Sequence, residues 1–99
     1  MDYKIIVSPK AQIEILNAIN YYSKYSINAP KNFISQIEKS YKALSTNPYY
    51  IIQYRNIRSL KLSKYPYSLY FSVNENDFVV EILSCFHNKL NPKKRPNIK

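Results

Sequence analysis

The spacing of the apolar residues changes once along the chain, and this change constrains the fold more than any other feature of the sequence. Before Pro48 the apolar residues recur at steps of three and four, which is the period of an amphipathic helix. After Pro48 they alternate with polar residues at a step of two, which is the period of a strand with one solvated face. The chain is therefore expected to be an α+β domain in which helices precede most of a sheet.

The first half of the chain predicts one strand followed by two helices. Residues 3–7 are a short run rich in β-branched side chains, and the run stops at Ser8-Pro9, where serine can cap a helix and proline fits its first turn. Two amphipathic stripes follow, separated by a break at residues 26–30 that predicts a short turn between antiparallel helices. The first stripe is Ala11, Ile15, Ala18, Tyr22 and Tyr25, and the second is Phe33, Ile37, Tyr41 and Leu44, ending at Asn47-Pro48.

The second half predicts three strands in meander order. Residues 59–63 and 67–73 alternate between apolar and polar, and a polar turn follows the second of these runs. Residues 78–86 are nearly continuously apolar, which suits a central strand that is buried on both faces. With the first strand joining the sheet edge, the predicted order is β-α-α-β-β-β, a helix hairpin packed on a small, mainly antiparallel sheet.

The charge of the chain predicts an acidic partner. Fifteen Lys and Arg against six Asp and Glu give a net charge of +9, which favours nucleic acid, an anionic membrane surface or an acidic protein without choosing among them. The chain has no glycine, so a Gly-rich phosphate loop, a dinucleotide fingerprint and a Gly-x-Ser-x-Gly elbow are all excluded. One His and one Cys are too few for an ordinary zinc site. We therefore expect neither a cofactor nor a metal.

The sequence also favours a cytoplasmic protein with a single domain. Cys85 has no second cysteine with which to form an internal disulfide, the N-terminus does not resemble a signal peptide, and no apolar run is long enough for a membrane span. We expect residues 1–87 to form the domain and residues 88–99 to form a basic, mobile tail. That tail carries five of the fifteen basic side chains, Lys89, Lys93, Lys94, Arg95 and Lys99, and no acidic one.

Six short segments stand out between about residues 3 and 90, namely Tyr3–Ala11, Tyr21-Tyr22, Asn47-Pro48, Arg58–Leu62, Tyr65–Phe71 and Phe86-His87. In their order and spacing they resemble the RelE/ParE toxins. The resemblance implies a toxin that is neutralised by a cognate antitoxin, whose acidic or amphipathic segment wraps around it. The net charge of +9 agrees with such a partner. Apolar grooves beside the helix hairpin are expected to accept the antitoxin's side chains, although no individual antitoxin-binding residue is predicted.

The family divides by target, because RelE-like members cleave messenger RNA in the ribosome whereas ParE-like members poison DNA gyrase. RNA cleavage needs a base for the 2′-hydroxyl, cations for the phosphate and a proton donor for the leaving oxygen. By the resemblance, His87, Lys61 and Arg58 are the candidates for these roles. Ser59 and Ser68 stand where the ribonucleases tend to carry Lys or Arg, and no aromatic residue follows His87 to stack on a base. The resemblance is therefore nearer to ParE than to RelE.

Our first hypothesis is a ParE-like toxin that acts by binding, with gyrase as its target. The residues expected to bind the target are Arg58, Lys61, Lys64, Lys89, Lys93, Lys94 and Arg95. The alternative is a metal-independent endoribonuclease that uses His87 with Lys61 and Arg58 on ribosome-bound message. A third possibility is a non-toxic, basic nucleic-acid-binding module, but the sequence has no recognisable recognition helix or RNA-binding aromatic motif.

Strand alternation places Arg58 and Lys61 on opposite faces of their strand, so they would converge only through a bulge or strand twist. Both also fit an ordinary role as solvated side chains, and His87 fits that of a strand-end histidine bonded to backbone. Three tyrosines between the second helix and the sheet are further candidates for a partner surface, namely Tyr49, Tyr50 and Tyr54. Cys85 is expected to be a small buried residue without a chemical role.

Overall fold

The protein is a two-layer α+β fold, seen in a computed structural model that describes residues 2–50 and 52–88, apart from the side chains of residues 53 and 54. Its elements are β1 (Lys4–Val7), α1 (Pro9–Ser23), α2 (Asn28–Thr46), β2 (Ile52–Tyr54), β3 (Ile57–Lys61), β4 (Tyr67–Asn74) and β5 (Val79–His87). The sheet has five strands in the order β1-β5-β4-β3-β2. β1 pairs with β5 in parallel, and the other three pairings are antiparallel. The predicted fold is confirmed, and β2 is an additional short strand that the sequence analysis did not predict.

Both helices begin where polar side chains and proline favour a helix start. Ser8 caps α1 through its side chain, and Pro9 lies in the first turn. α2 begins at residue 28, inside the predicted break, because Pro30 lies in the first turn, where its missing N–H would have no helical partner in any case. The Ser26 hydroxyl accepts a hydrogen bond from the N–H of Ala29 at 3.0 Å. No helix in residues 2–50 and 52–88 is long and apolar enough to cross a membrane.

Three turns use the left-handed backbone region without glycine, which the chain lacks. Arg55, Lys64 and Phe78 have φ values of 52°, 69° and 53°. This region costs a residue with a Cβ about 1–2 kcal/mol relative to the right-handed one. The prediction that residues 78–86 form the last strand is therefore wrong at its start, because Phe78 belongs to the turn and β5 begins at Val79.

A bulge in β5 determines which side chains near its end face the helices. Tyr70 pairs with Ser84 but Phe71 pairs with Ile82, so Leu83 is an extra residue in β5. Beyond the bulge, Cys85 pairs with Leu69 and belongs to the core beneath the helices. Directly paired residues share a face, and successive residues alternate. His87 therefore lies on the helix-covered face, since it is two residues beyond Cys85.

The core lies between the helix hairpin and one face of the sheet. Its centre is Phe33, which is fully buried and contacts three tyrosine rings: Tyr22 at 5.2 Å, Tyr65 at 5.2 Å and Tyr67 at 5.5 Å between ring centroids. Burying a phenylalanine side chain of this kind stabilises a fold by about 1.5–3 kcal/mol, and the ring pairs add to this. This cluster joins α1, α2 and the β3–β4 end of the sheet, and it fixes the position of the candidate site next to it.

Candidate functional site

The end of β5 has an outer edge that β1 does not reach. β1 stops at Val7, which pairs with Ile82. Beyond that point a side chain of α1 takes the place of a neighbouring strand, because Oε1 of Glu14 accepts a hydrogen bond from the Cys85 backbone N–H at 3.1 Å. The same oxygen accepts a second bond from the hydroxyl of Ser84 at 2.7 Å. A carboxylate is thus held against the strand edge by two donors.

Next to this carboxylate is a cavity of about 470 Å³, which we call the edge pocket. α1 contributes four residues at positions i, i+3, i+4 and i+7, which lie on one helix face. The sheet contributes residues from the start of β4 and the end of β5. The lining residues are Glu14, Asn17, Ala18, Tyr21, Tyr67, Cys85, Phe86 and His87. The edge pocket therefore combines a carboxylate, an amide, an imidazole and two phenols with an apolar floor.

The aromatic walls of the edge pocket are held in place by neighbouring rings. The Tyr21 hydroxyl accepts a hydrogen bond from the Tyr25 hydroxyl at 2.9 Å, and the Tyr21 ring lies edge-on to Tyr22 at 5.3 Å. On the other side, the His87 ring packs edge-on against Tyr67 with 4.9 Å between centroids. Burial raises the pKa of the Tyr67 phenol to about 12, so this hydroxyl stays protonated at neutral pH.

The floor of the edge pocket is not a nucleophile or a metal site. Burial and, to a smaller extent, the negative charge of Glu14 raise the pKa of the Cys85 thiol to about 12, so the thiol is not ionised at neutral pH. The described part of the chain contains no group of three or more metal-ligating side chains that could hold an ion. The polar chemistry available here is hydrogen bonding and charge pairing.

Lys61 lies on the opposite face of the sheet from His87. Lys61 pairs with Ser68, which in turn pairs with Phe86, so these three side chains share a face. Tyr67 and His87 pair with each other on the helix-covered face. The two candidate catalytic residues are thus close along the strands but are separated by the sheet itself.

Lys61 and Lys64 come together in a second cavity, of about 380 Å³, at the same end of the sheet. Tyr65, Pro66 and Asn88 complete its lining, and we call it the lysine groove. Lys61 and Lys64 are both exposed, so their ammonium groups are accessible to a partner. The structure therefore brings two of the predicted target-binding cations together.

Arg58 is not part of the lysine groove. Its Nη1 donates a hydrogen bond to the carbonyl oxygen of Tyr50 at 2.7 Å, and its guanidinium carbon lies 5.2 Å from the centre of the Tyr49 ring. Arg58 pairs with Phe71 whereas His87 pairs with Tyr67, so about 14 Å along the strands separates the two residues. Arg58 thus has a local packing partner at the far end of the sheet.

The tyrosines between α2 and the sheet are also engaged within the chain. The Tyr49 hydroxyl bonds to that of Tyr3 at 2.7 Å and donates to Glu75 at 3.2 Å. The bond to Tyr3, followed by burial and the bond to Glu75, raises the pKa of Tyr49 to about 12. Tyr50 accepts from Arg58 through its carbonyl oxygen. The side chain of Tyr54 lies outside the described residues. The predicted tail cations Lys89, Lys93, Lys94 and Arg95 lie outside them too.

A largely apolar groove of about 670 Å³ runs between α1 and α2. Leu16 and Ile34 line it and are 58% and 39% exposed, which is high for aliphatic side chains. Ile13, one turn of α1 before Leu16, is 59% exposed. We call this surface the hairpin groove; its lining residues are Val7, Gln12, Ile15, Leu16, Ile19, Ile34, Ile37, Glu38 and Tyr41.

Sequence reasoning did not find the edge pocket, because its central residue is a glutamate in the middle of a helix, where glutamate is common. Glu14, Asn17 and Tyr21 share one face of α1 with the fully buried Ala11 and Ala18. A polar stripe that shares a helix face with small buried residues is the sequence signal that could have indicated the edge pocket. Identifying Ser84 and Cys85 as its partners requires the fold, since about 70 residues separate them from Glu14.

The comparisons with known proteins agree with this architecture. The structure is similar to a toxin–antitoxin ParDE structure from P. aeruginosa, with a TM-score of 0.68, 17% identity, and coverage of 86% of this chain and 95% of that one. It is also similar to the RelBE2 toxin–antitoxin complex of Mycobacterium tuberculosis, with a TM-score of 0.60, 16% identity, and coverage of 88% and 99%. Isolated E. coli RelE gives a TM-score of 0.59 at 15% identity, with coverage of 92% and 89%. At these identities the likeness establishes the fold.

A search of curated protein sequences gave no match. The family model of the ParE toxin of the type II toxin–antitoxin system parDE matches residues 5–91, which is most of the chain. The chain therefore belongs to the ParE toxin family of type II toxin–antitoxin systems.

Proposed function

We propose that this chain arrests growth by binding DNA gyrase, without chemistry of its own, and that an antitoxin neutralises it. One observation carries the choice of target: His87 and Lys61 lie on opposite faces of the sheet, and Arg58 lies at its far end. General acid–base cleavage of RNA requires these groups around one phosphate, within hydrogen-bond reach of the reacting atoms. Their separation supports a toxin that acts by binding over a RelE-like ribonuclease.

The lysine groove is the part of the target-binding surface for which the structure offers most support. Two exposed ammonium groups in one concavity can contact neighbouring carboxylates or phosphates of a target at the same time. We propose that the tail cations Lys89, Lys93, Lys94 and Arg95 extend this surface, so that residues 1–87 act as the toxin domain and residues 88–99 as a basic arm. This assignment places the toxin in the cytoplasm with its target.

The hairpin groove is our candidate for the antitoxin surface. Its exposed aliphatic side chains can accept the apolar face of an amphipathic helix, as in other helix-in-groove complexes. The net charge of +9 favours a segment whose polar face is acidic. The hairpin groove and the lysine groove are separate surfaces. An antitoxin that fills the hairpin groove therefore neutralises the toxin by adding bulk beside the lysine groove or by extending onto it.

Supercoiling by purified gyrase in the presence of the full chain tests the proposed target. We expect the wild type to inhibit and the double variant Lys61→Ala/Lys64→Ala to need about tenfold more protein. The matched control, Lys39→Ala/Lys42→Ala, removes two exposed lysines from α2 and should inhibit like the wild type. His87→Ala should also inhibit fully. A chain that leaves gyrase unaffected but cuts ribosome-bound message in a His87-dependent manner would establish the ribonuclease instead.

The antitoxin surface is tested by measuring how tightly the cognate antitoxin binds variants of the chain. Leu16→Glu places a charge in the middle of the hairpin groove and should weaken the measured affinity by about 100-fold or more. Ile27→Glu makes the same change at a position that is 93% exposed and outside the groove lining, so it should bind like the wild type. Equal loss of affinity in both variants would show that charge, rather than the groove, explains the effect.

A further inference from the structure

We propose that the edge pocket binds the guanidinium group of an arginine side chain presented by a protein partner. The pocket places a carboxylate at the wall of a cavity in a chain whose net charge is +9, so its local charge is opposite to that of the surface as a whole. Such a site discriminates among cations, because the positive field of the whole surface repels those that do not fit the pocket. The proposal does not depend on which target the toxin has.

Two hydrogen bonds hold the carboxylate of Glu14 in a position from which it can bind a ligand. Within the described part of the chain, both of its donors reach the same oxygen, Oε1, from Ser84 and the Cys85 backbone. Oε2 is thereby left to a donor that enters the cavity. Because Ser84 is 1% exposed, its hydrogen bond holds the carboxylate rigidly, and little conformational entropy is lost when a ligand pairs with it.

The walls of the pocket favour arginine over lysine. Tyr21 and His87 present flat rings, and each is held by a neighbouring ring. A guanidinium group is planar, stacks on aromatic faces and donates two parallel hydrogen bonds to a carboxylate, whereas an ammonium group is compact and strongly hydrated. The amide oxygen of Asn17, one turn from Glu14, is available for a further N–H of the same fork.

The size and position of the pocket fit a side chain rather than a free nucleotide. A cavity of about 470 Å³ lies within the usual range for small-ligand sites. The apolar floor of Ala18 and Cys85 can cover the methylene groups of an arginine stem. A nucleotide bound here would place its phosphate near the Glu14 carboxylate, which repels it. The pocket lies beside the part of β5 that follows the Val7–Ile82 pair, where β1 has ended.

The proposal is tested by NMR titration of the full, isotopically labelled chain with Nα-acetyl-arginine N-methylamide. We expect saturable shifts that are confined to Glu14, Tyr21 and His87 and their neighbours. The citrulline analogue has nearly the same shape without the charge, and it should bind about tenfold more weakly or not measurably. Glu14→Gln keeps an oxygen for Ser84 and Cys85 but removes the charge, so it should lose arginine binding while its other resonances stay in place. Tyr21→Leu removes one aromatic wall and should weaken binding by a smaller factor.

Several results would overturn the proposal. They are equal binding of the arginine and citrulline analogues, an unchanged affinity in Glu14→Gln, and the absence of shifts at these residues at any probe concentration. Guanosine 5′-monophosphate is titrated in parallel, and stronger shifts of the same residues by this probe would identify the pocket as a nucleobase site. If Glu14→Gln does not fold, the citrulline comparison and Tyr21→Leu still decide the question. Glu38→Gln, which changes a carboxylate in the hairpin groove, should bind arginine like the wild type.

Discussion

The hydrogen bonds of Glu14 to β5 should contribute measurably to stability. Two substitutions of Glu14 separate the contribution of the acceptor oxygen from that of its charge. Glu14→Ala removes the acceptor for the Ser84 hydroxyl and the Cys85 N–H, which lie 2.7 and 3.1 Å from it. Ser84 is 1% exposed, so its hydroxyl is left buried without this partner. An unsatisfied buried donor costs about 1–3 kcal/mol. Because water can enter the edge pocket and bond to one of the two donors, we expect a total cost of about 2–3 kcal/mol.

Glu14→Gln is the matched variant, because it keeps an oxygen in the place of Oε1 and loses only the charge. Charge-assisted hydrogen bonds are roughly twice as strong as neutral ones, so we expect a loss of about 1 kcal/mol. Urea unfolding followed by far-UV circular dichroism measures both values, provided that the urea dependence of the unfolding free energy is the same in each variant. In a double-mutant cycle with Ser84→Ala, the coupling should be about 1 kcal/mol.

A cost of less than about 0.5 kcal/mol for Glu14→Ala, which is the usual effect of a surface substitution, would show that these hydrogen bonds do not stabilise the fold. An equal cost for Glu14→Gln would show that the loss comes from the charge of Glu14 and not from its role as an acceptor.

Three further predictions concern the core, the buried thiol and a turn. Phe33→Leu should lower the free energy of unfolding by about 1–3 kcal/mol, because the side chain loses three ring contacts. Ile13→Ala, at a site that is 59% exposed, should change this free energy by about 0.5 kcal/mol or less. Equal effects of the two substitutions in urea unfolding would contradict the packing around Phe33. Burial raises the pKa of Cys85 to about 12 from 9.0, so between these pH values the unfolded state loses a proton that the folded state keeps, and stability falls as pH rises. Cys85→Ala should reduce this fall between pH 9 and 10 by up to about 1.4 kcal/mol per pH unit, and an unchanged slope would disprove the burial argument. Lys64→Asn should raise the melting temperature, because asparagine tolerates the φ of 69° better, with a gain of about 0.5–1 kcal/mol; a lower melting temperature would count against strain at this turn.

The sequence predicted those elements whose apolar spacing is long enough to be periodic. The stripe from Phe33 to Leu44 predicted α2, and the alternation at residues 67–73 predicted β4, because in both cases burial of one face determines the local structure. β2 was not predictable in this way. It has only three residues, which is too short for an apolar alternation to be recognised, and it forms because Ile52 pairs with Arg58 on β3.

The candidate site was less predictable than the fold because it depends on which face each side chain occupies. Alternation alone correctly separates Arg58 from Lys61, but the face of His87 depends on the extra residue Leu83 in β5. Whether a bulge forms is decided by pairing with β4, and the local sequence does not report it. Glu14 is likewise assigned to the site by contacts with residues on a distant strand.

Whether the toxin acts on gyrase or on messenger RNA is best decided from the state of DNA and RNA in cells at the onset of growth arrest. The wild-type chain is induced under tight control with and without its cognate antitoxin, and gyrase-linked DNA breaks and messenger RNA integrity are followed in the same samples. A toxin that acts by binding gyrase should produce DNA breaks while messenger RNA stays intact, and co-expression of the antitoxin should prevent both arrest and breaks. Fragmentation of messenger RNA without DNA breaks would rule out gyrase as the target, and its loss in His87→Ala would identify a ribonuclease.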